Sequence, residues 1–191
     1  MNKRSLALAG LIVLAALSRF LPHPANFAPL TALAVFGAIR FRSRWAGVIV
    51  PLLAYLLSDL AIELQYRLRQ SSEWGIYKGM WVNYVIIAII ALMSSFARGT
   101  RSPLTIGATT LTGSCVFFLL SNFAVWVGST TYPHTMAGLA HCYAKGAEFF
   151  RNTMLGDLTY AGALFGVWAL VEVVYPALRS APARPDLVRE S

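Results

Sequence analysis

The chain is short of charge, of cysteine and, above all, of acidic residues. Charged residues make up 13% of its 191 positions, against about 25% in an ordinary soluble domain. That scarcity excludes a typical soluble globular protein and a disordered chain. Two cysteines are too few for a disulfide framework, which excludes a small secreted module, and both are expected as free thiols. No HExxH, CxxC pair, Walker A loop, GxGxxG or GxSxG occurs, so no dedicated catalytic or nucleotide motif marks an enzyme. The 8 acidic residues face 16 basic ones, for a net charge of +8. In a soluble chain that excess would point to nucleic acid. Here the basic residues lie in short runs between apolar segments, so they read as membrane-orientation signals and no nucleic-acid partner is expected.

What the chain has is apolar length. Hydrophobic residues make up 57% of it and the mean hydropathy is +0.60. This predicts an all-α polytopic membrane protein in contact with the lipid bilayer, one domain over residues 1–178 with a solvated tail over 179–191. Six spans are predicted, at about Ser5–Phe20, Pro29–Phe41, Trp45–Leu64, Met80–Ala97, Pro103–Val127 and Thr153–Pro176. Ser102 is placed as an N-cap with Pro103 at the first helical position. Lys3-Arg4 before an apolar stretch also fits a secretory signal, with Ala16-Leu17-Ser18 resembling a cleavage site. Arg19 directly after it, and the further spans, favour an uncleaved first helix.

Orientation follows from the basic residues. With the N-terminus inside, Lys3, Arg4, Arg40, Arg42, Arg44, Arg98, Arg101, Arg179, Arg184 and Arg189 are inner, 10 of the 16. The positive-inside rule then puts both termini in the cytoplasm, which needs an even number of spans. The outer side receives the longer connections and all three histidines, His23, His134 and His141. An outward-open pocket is expected there. Met136–Phe150 has mixed character and reads as an interfacial helix or a partly re-entrant loop.

Polar residues inside apolar spans are candidate site residues, because burying them is costly. Asp59 lies about 21 Å along its helix from Trp45, on one face with Tyr55 and Glu63. It reads as a ligand contact or as a structural hydrogen bond to a neighbouring helix. Asp157, about one turn into the sixth segment, caps its own helix or lines the same pocket with Asn152 and Tyr160. Asn122 shares a stripe with Cys115, Leu119 and Trp126, and Trp126 reads as an interfacial anchor or a pocket wall. Cys142, in an outer connection, is expected to be the more accessible thiol. Met80, Tyr84 and Ile87 share a face of the fourth helix, and Trp74, Tyr77 and Trp81 are aromatic neighbours. His23 sits between Pro22 and Pro24, which hold its backbone extended. A histidine fixed in that way suits metal ligation, or is a plain loop residue.

Several stretches carry a resemblance. They are Leu21-Pro22-His23-Pro24-Ala25-Asn26-Phe27-Ala28-Pro29, Leu57-Ser58-Asp59, Ser121-Asn122-Phe123-Ala124-Val125-Trp126, Tyr132-Pro133-His134-Thr135, and Glu148-Phe149-Phe150-Arg151-Asn152-Thr153 followed by Gly156-Asp157-Leu158. In these the chain resembles a family of small six-helix bacterial membrane proteins. Its BtuM-type members are substrate-binding (S) components related to energy-coupling-factor vitamin transporters. The resemblance implies an S-component-like bundle in the bacterial inner membrane that takes up cobalamin or cobinamide, a transport component and not an enzyme. It implies a base-off cobalt corrinoid as substrate, with no resident cofactor. The substrate-binding set would be His23, Asn26, Asp59, Met80, Trp81, Tyr84, Asn122 and Trp126. His23 matches the family's histidine ligand to cobalt. The family's cysteine ligand is not matched, and Met80 is the sulfur in the corresponding region, Trp74 to Trp81. A thioether is a weaker ligand than a thiolate, so decyanation of the substrate is not expected. The implied partner is an energising module of coupling protein and ATPases, or none. The alternatives are an S component for another vitamin, or a membrane-embedded enzyme using His23, Asp59, His141 and Asp157.

Overall fold

A computed structural model describes residues 2–22, 24–69 and 79–179. The described residues form six α-helices and no strand: α1 (Lys3–Leu17), α2 (Leu30–Arg40), α3 (Arg44–Leu68), α4 (Met80–Ser94), α5 (Pro103–Gly128) and α6 (Met136–Val174). The starts follow the local chemistry. Asn2, Ser43, Ser102 and Thr135 each accept a backbone N–H three residues on, as N-caps. Pro103 occupies the first turn of α5, as its fixed φ favours.

Four helices are long and apolar enough to cross a membrane: α3, α4 with its 3-10 turn to Ala97, α5 and α6. The fold is therefore compatible with a multi-pass membrane protein. The outward face of α3 supports this. Ile49, Leu53, Leu57, Leu60 and Leu64 recur at helical spacing and are exposed, while Tyr55, Ser58 and Asp59 are buried. Apolar outside and polar inside is the reverse of a soluble helix, and suits lipid as the outer medium.

α1, at 15 residues, is not among these four, and two further expected spans differ from expectation. α6 begins at Met136, not near Thr153. The segment of mixed character is neither a separate interfacial helix nor a re-entrant loop. It is the first part of one 39-residue helix, about 58 Å long and roughly twice the hydrocarbon core. The second difference concerns α2. It has only 11 residues, about 16 Å, so it reaches about half-way across a bilayer of about 30 Å.

This shortest helix is the centre of the bundle. All residues from Thr31 to Ile39 are buried, and α2 packs against each of the other five helices. Phe36 meets Phe165 at 5.1 Å and Trp168 at 6.5 Å between ring centroids. The α2–α3 contact requires glycine. A Cβ on Gly37 would lie 2.5 Å from Pro51 Cγ and 2.8 Å from the Gly47 carbonyl oxygen. Such close approach is how helices associate where lipid removes the hydrophobic drive.

Candidate functional site

A central helix of half length leaves space beyond its N-terminus. The chain from Pro24 to Pro29 borders that space and turns into α2, becoming buried at Pro29. Asn26 takes φ 61°, and the Phe27 N–H donates to the Pro24 carbonyl at 3.0 Å. Asn is one of the few residues that adopts this left-handed region readily. Two contacts with α6 hold the connection. Asn152 Nδ2 donates to the Ala25 carbonyl at 3.1 Å. Gly156 lets the backbone come close, since a Cβ there would lie 3.1 Å from Phe27 Cα.

α2 starts at Pro29 with no side-chain cap of its own. Asp157 supplies the cap from α6. Its carboxylate accepts from the Thr31 and Ala32 backbone N–H groups and from the Thr31 hydroxyl. It also accepts from Ser114 Oγ of α5 at 2.7 Å. A carboxylate at a helix N-terminus meets free N–H donors and the positive end of the dipole. Asp157 thus ties three helices together at the foot of the cavity. The expectation that it caps its own helix is corrected. Asp157 lies 21 residues beyond Met136, deep within α6, and the helix it caps is α2.

A second polar cluster forms the opposite wall. Arg19, in the 3-10 turn after α1, donates from Nη1 to Asp59 Oδ1 at 2.6 Å and to Ser58 Oγ. Its guanidinium lies 4.4 Å from the centroid of the Tyr55 ring. Tyr84 Oη donates to the other Asp59 oxygen at 2.6 Å. Asp59 is 2% exposed, so its charge is balanced within the protein by Arg19. Both oxygens have partners, as a buried carboxylate requires.

Between these walls lies a cavity of ≈ 520 Å³, within the roughly 300–1,000 Å³ of small-molecule sites. Polar groups reach it from Arg19, Asn26, Asp59, Asn83, Asn122 and Asp157. Aromatic walls come from Tyr55, Tyr66, Phe117, Phe118, Phe149 and Phe150. Asn122 is held by its Nδ2 donating to the Phe118 carbonyl at 2.8 Å. Gly146 leaves room for it, since a Cβ there would lie 2.1 Å from Asn122 Oδ1.

The sequence-predicted residues divide into three groups. Asn26, Asp59 and Asn122 line the cavity, and Tyr84 reaches it through Asp59. Met80, Trp81 and Trp126 lie elsewhere. Met80 is buried at the start of α4, and Trp81 is 65% exposed beside Tyr84. Trp126 Nε1 donates to the Pro133 carbonyl at 3.0 Å, and the Trp126 carbonyl meets His134 Nε2 at 3.0 Å, so this tryptophan clasps the α5–α6 turn. His23, Trp74 and Tyr77 lie outside the described residues. His141 is exposed and stacks edge-on with Tyr132, apart from the cavity. Among the described residues no cluster of three or more His, Cys, Asp or Glu is arranged to hold a metal.

The thiols reverse the expected order of access. Both are free, but Cys142 is buried and Cys115 is exposed. The cause is the longer α6, which lays Cys142 against the Asn122 carbonyl at 3.4 Å.

Sequence reasoning missed Arg19, Thr31, Ser114 and the Phe149–Phe150 pair. Arg19 had a weak signal, as a lone cation following one apolar span with a carboxylate inside another. Thr31 and Ser114 had none, since hydroxyls in membrane helices ordinarily bond their own helix, as Thr110 does to the Ile106 carbonyl.

No curated protein and no solved structure matches the chain. One family model matches it over residues 1–178, and the chain belongs to that family, DUF6580, a family of unknown function.

Proposed function

We propose that the protein is a membrane-embedded binding component that takes a small organic solute from the outer side of a bacterial inner membrane. One observation carries the reading. An apolar-faced bundle spends its centre on a cavity of ≈ 520 Å³ walled by aromatic rings, side-chain amides and fully partnered carboxylates. Burying such groups is expensive in a membrane protein, and they mark substrate paths by default. Arg19 neutralises Asp59, and four donors converge on Asp157. The cavity therefore favours a neutral or weakly cationic solute over an anionic one. Aromatic walls and amides suit a ring system carrying amide or hydroxyl groups.

A cobalt corrinoid is the first substrate to test. Its support is the resemblance to BtuM-type S components and the Pro22-His23-Pro24 run that leads into the cavity-lining Asn26. A corrinoid with its side chains is larger than the cavity, so it would seat one face at the mouth and leave the remainder outside. In this reading His23 supplies the cobalt ligand, and Met80, buried away from the cavity, takes no part without a rearrangement of α4.

The experiment is co-elution. The purified full chain is incubated with hydroxocobalamin or cobinamide, passed over gel filtration and read by its visible spectrum. Corrinoid co-eluting with a His-ligated or base-off spectrum, lost in His23→Ala, supports the corrinoid reading. A folded sample that carries no corrinoid sinks it. A thermal-shift screen of smaller ring-bearing vitamins then tests the wider reading. Stabilisation by one of them, abolished by Asn122→Leu, supports it. Absence of any stabilising solute overturns it.

A further inference from the structure

The second feature of the bundle lies at its opposite end. There the structure gathers Arg4, Arg40, Arg101 and Arg179 around a single described carboxylate, Glu172, with Arg98 nearby on the Arg42 carbonyl at 3.1 Å. Arg4 Nη1 donates to the Arg40 carbonyl at 2.7 Å, and Arg40 Nη1 to the Thr100 carbonyl at 2.6 Å. Glu172 accepts from Arg101 Nη2 at 2.9 Å and from Trp168 Nε1 at 2.8 Å, and its carbonyl accepts from Arg179 Nε at 2.9 Å. Donors outnumber acceptors. The Nε atoms of Arg4, Arg40 and Arg98, and Nη2 of Arg98, are buried with no hydrogen-bond partner among the described residues.

From this cationic end a groove of ≈ 560 Å³ runs between α5 and α6. Its α6 wall is one face, with Leu158, Gly162, Gly166, Ala169 and Val173 at helical spacing. It extends over about 22 Å, longer than the about 15 Å of one hydrocarbon leaflet. The groove is not a by-product of internal packing. A Cβ added to Gly107, Gly162 or Gly166 would meet nothing within 4 Å. Glycine in a helix interior costs about 1 kcal/mol relative to alanine, yet these three create space that no other part of the described chain fills.

We propose that this groove is a binding site for an anionic phospholipid. The phosphate sits between Arg101 and Arg179, beside Arg40, and one acyl chain lies along the glycine-floored slot. Charge complementarity selects the occupant. Basic pockets between membrane helices on the cytoplasmic side suit anionic head groups, and the positive-inside orientation places this end at that leaflet. A second copy of the chain fits less well. Twofold pairing on this α6 face would set Arg101 and Arg179 of both copies at the same depth, like charge against like.

Native mass spectrometry of the full chain tests the site. Detergent-purified protein is titrated with phosphatidylglycerol, with phosphatidylcholine of the same chains, and with inorganic phosphate. Selective retention of phosphatidylglycerol is expected, with no adduct from phosphate alone. Arg101→Gln and Arg179→Gln should each weaken retention about fivefold. Gly162→Leu, which meets open space, should abolish it while leaving the helical spectrum unchanged. Equal retention of both lipids, phosphate binding without lipid, or retention unaffected by all three variants overturns the proposal. So does a dimer that Gly162→Leu dissociates.

Discussion

If Asp157 caps the central helix from outside it, removing its acceptors should cost far more than a surface carboxylate would. Asp157→Ala strands four donors: two hydroxyls, of Thr31 and Ser114, and two backbone N–H groups, of Thr31 and Ala32. The hydroxyls have refuge. Ser114 Oγ already lies 3.1 Å from the Thr110 carbonyl, and the Thr31 hydroxyl can turn toward the cavity that Thr31 lines. The two N–H groups have none, because no carbonyl precedes them in α2. At about 1–3 kcal/mol for each stranded buried donor, the loss is about 4 kcal/mol. For a chain of this length that lowers Tm by roughly 8–16 °C. Asp157→Asn keeps one acceptor oxygen, so its loss should be about half as large. Far-ultraviolet circular dichroism in detergent reads both. A double-mutant cycle adds the decisive control. Ser114→Ala should matter less in the Asp157→Ala background than in the wild type, by about 1 kcal/mol. A Tm for Asp157→Ala within about 2 °C of wild type, or strict additivity with Ser114→Ala, would refute the cap.

Three further predictions follow the same contacts. Arg19→Met leaves the Asp59 carboxylate with Tyr84 as its remaining described partner and should destabilise by about 3–5 kcal/mol; Arg19→Met with Asp59→Leu should recover most of that loss, measured as Tm, and no recovery would contradict the pairing. Gly156→Val pushes the Phe27–Ala28 backbone off α6, at a cost of about 1–3 kcal/mol. It should weaken any solute bound in the cavity, and a variant that binds normally would show that the connection does not frame the site. A membrane-impermeant maleimide should leave Cys142 unmodified in the native protein and label both cysteines after denaturation in SDS; rapid native labelling of Cys142 would overturn its placement against Asn122.

The helices were legible wherever a run was long and bounded by caps. Ser102 with Pro103 marks the start of α5 because both residues satisfy a local need, whatever the rest of the chain does. The start of α6 was not legible. His141, Lys145, Glu148 and Arg151 make Met136–Asn152 look unlike a span, and a length rule tied to bilayer thickness stops at Thr153. Nothing obliges a helix to end where the membrane does. The first part of α6 is held by α5, through Tyr143 Oη donating to the Leu119 carbonyl at 2.8 Å and the Phe118–Phe150 contact at 4.6 Å. Asp59 and Asn122, which line the cavity, stood out in the sequence because a polar group in an apolar span is conspicuous. Arg19 was not, since a cation just beyond a span reads equally well as a boundary marker.

The central place of α2 explains why the cavity has to be where it is. A helix that starts within the bundle leaves its first N–H groups without carbonyl partners of their own. Either another segment brings acceptors to that point, or the helix must continue. Here α6 brings Asp157, and Gly113 and Gly156 let Thr31 and the Phe27–Ala28 backbone come close enough for the cap to form. Stopping α2 at Leu30 also removes the next two turns of side chains from the bundle centre. The rings of α5 and α6 and the Arg19–Asp59 pair border the space that those turns would have filled. The cap and the cavity are thus one structural decision, and damage to the cap should be felt in the cavity before it is felt in the outer helices. Asp157→Asn should weaken solute binding at temperatures well below its own Tm. A variant that binds normally up to the point of melting would show the two to be independent.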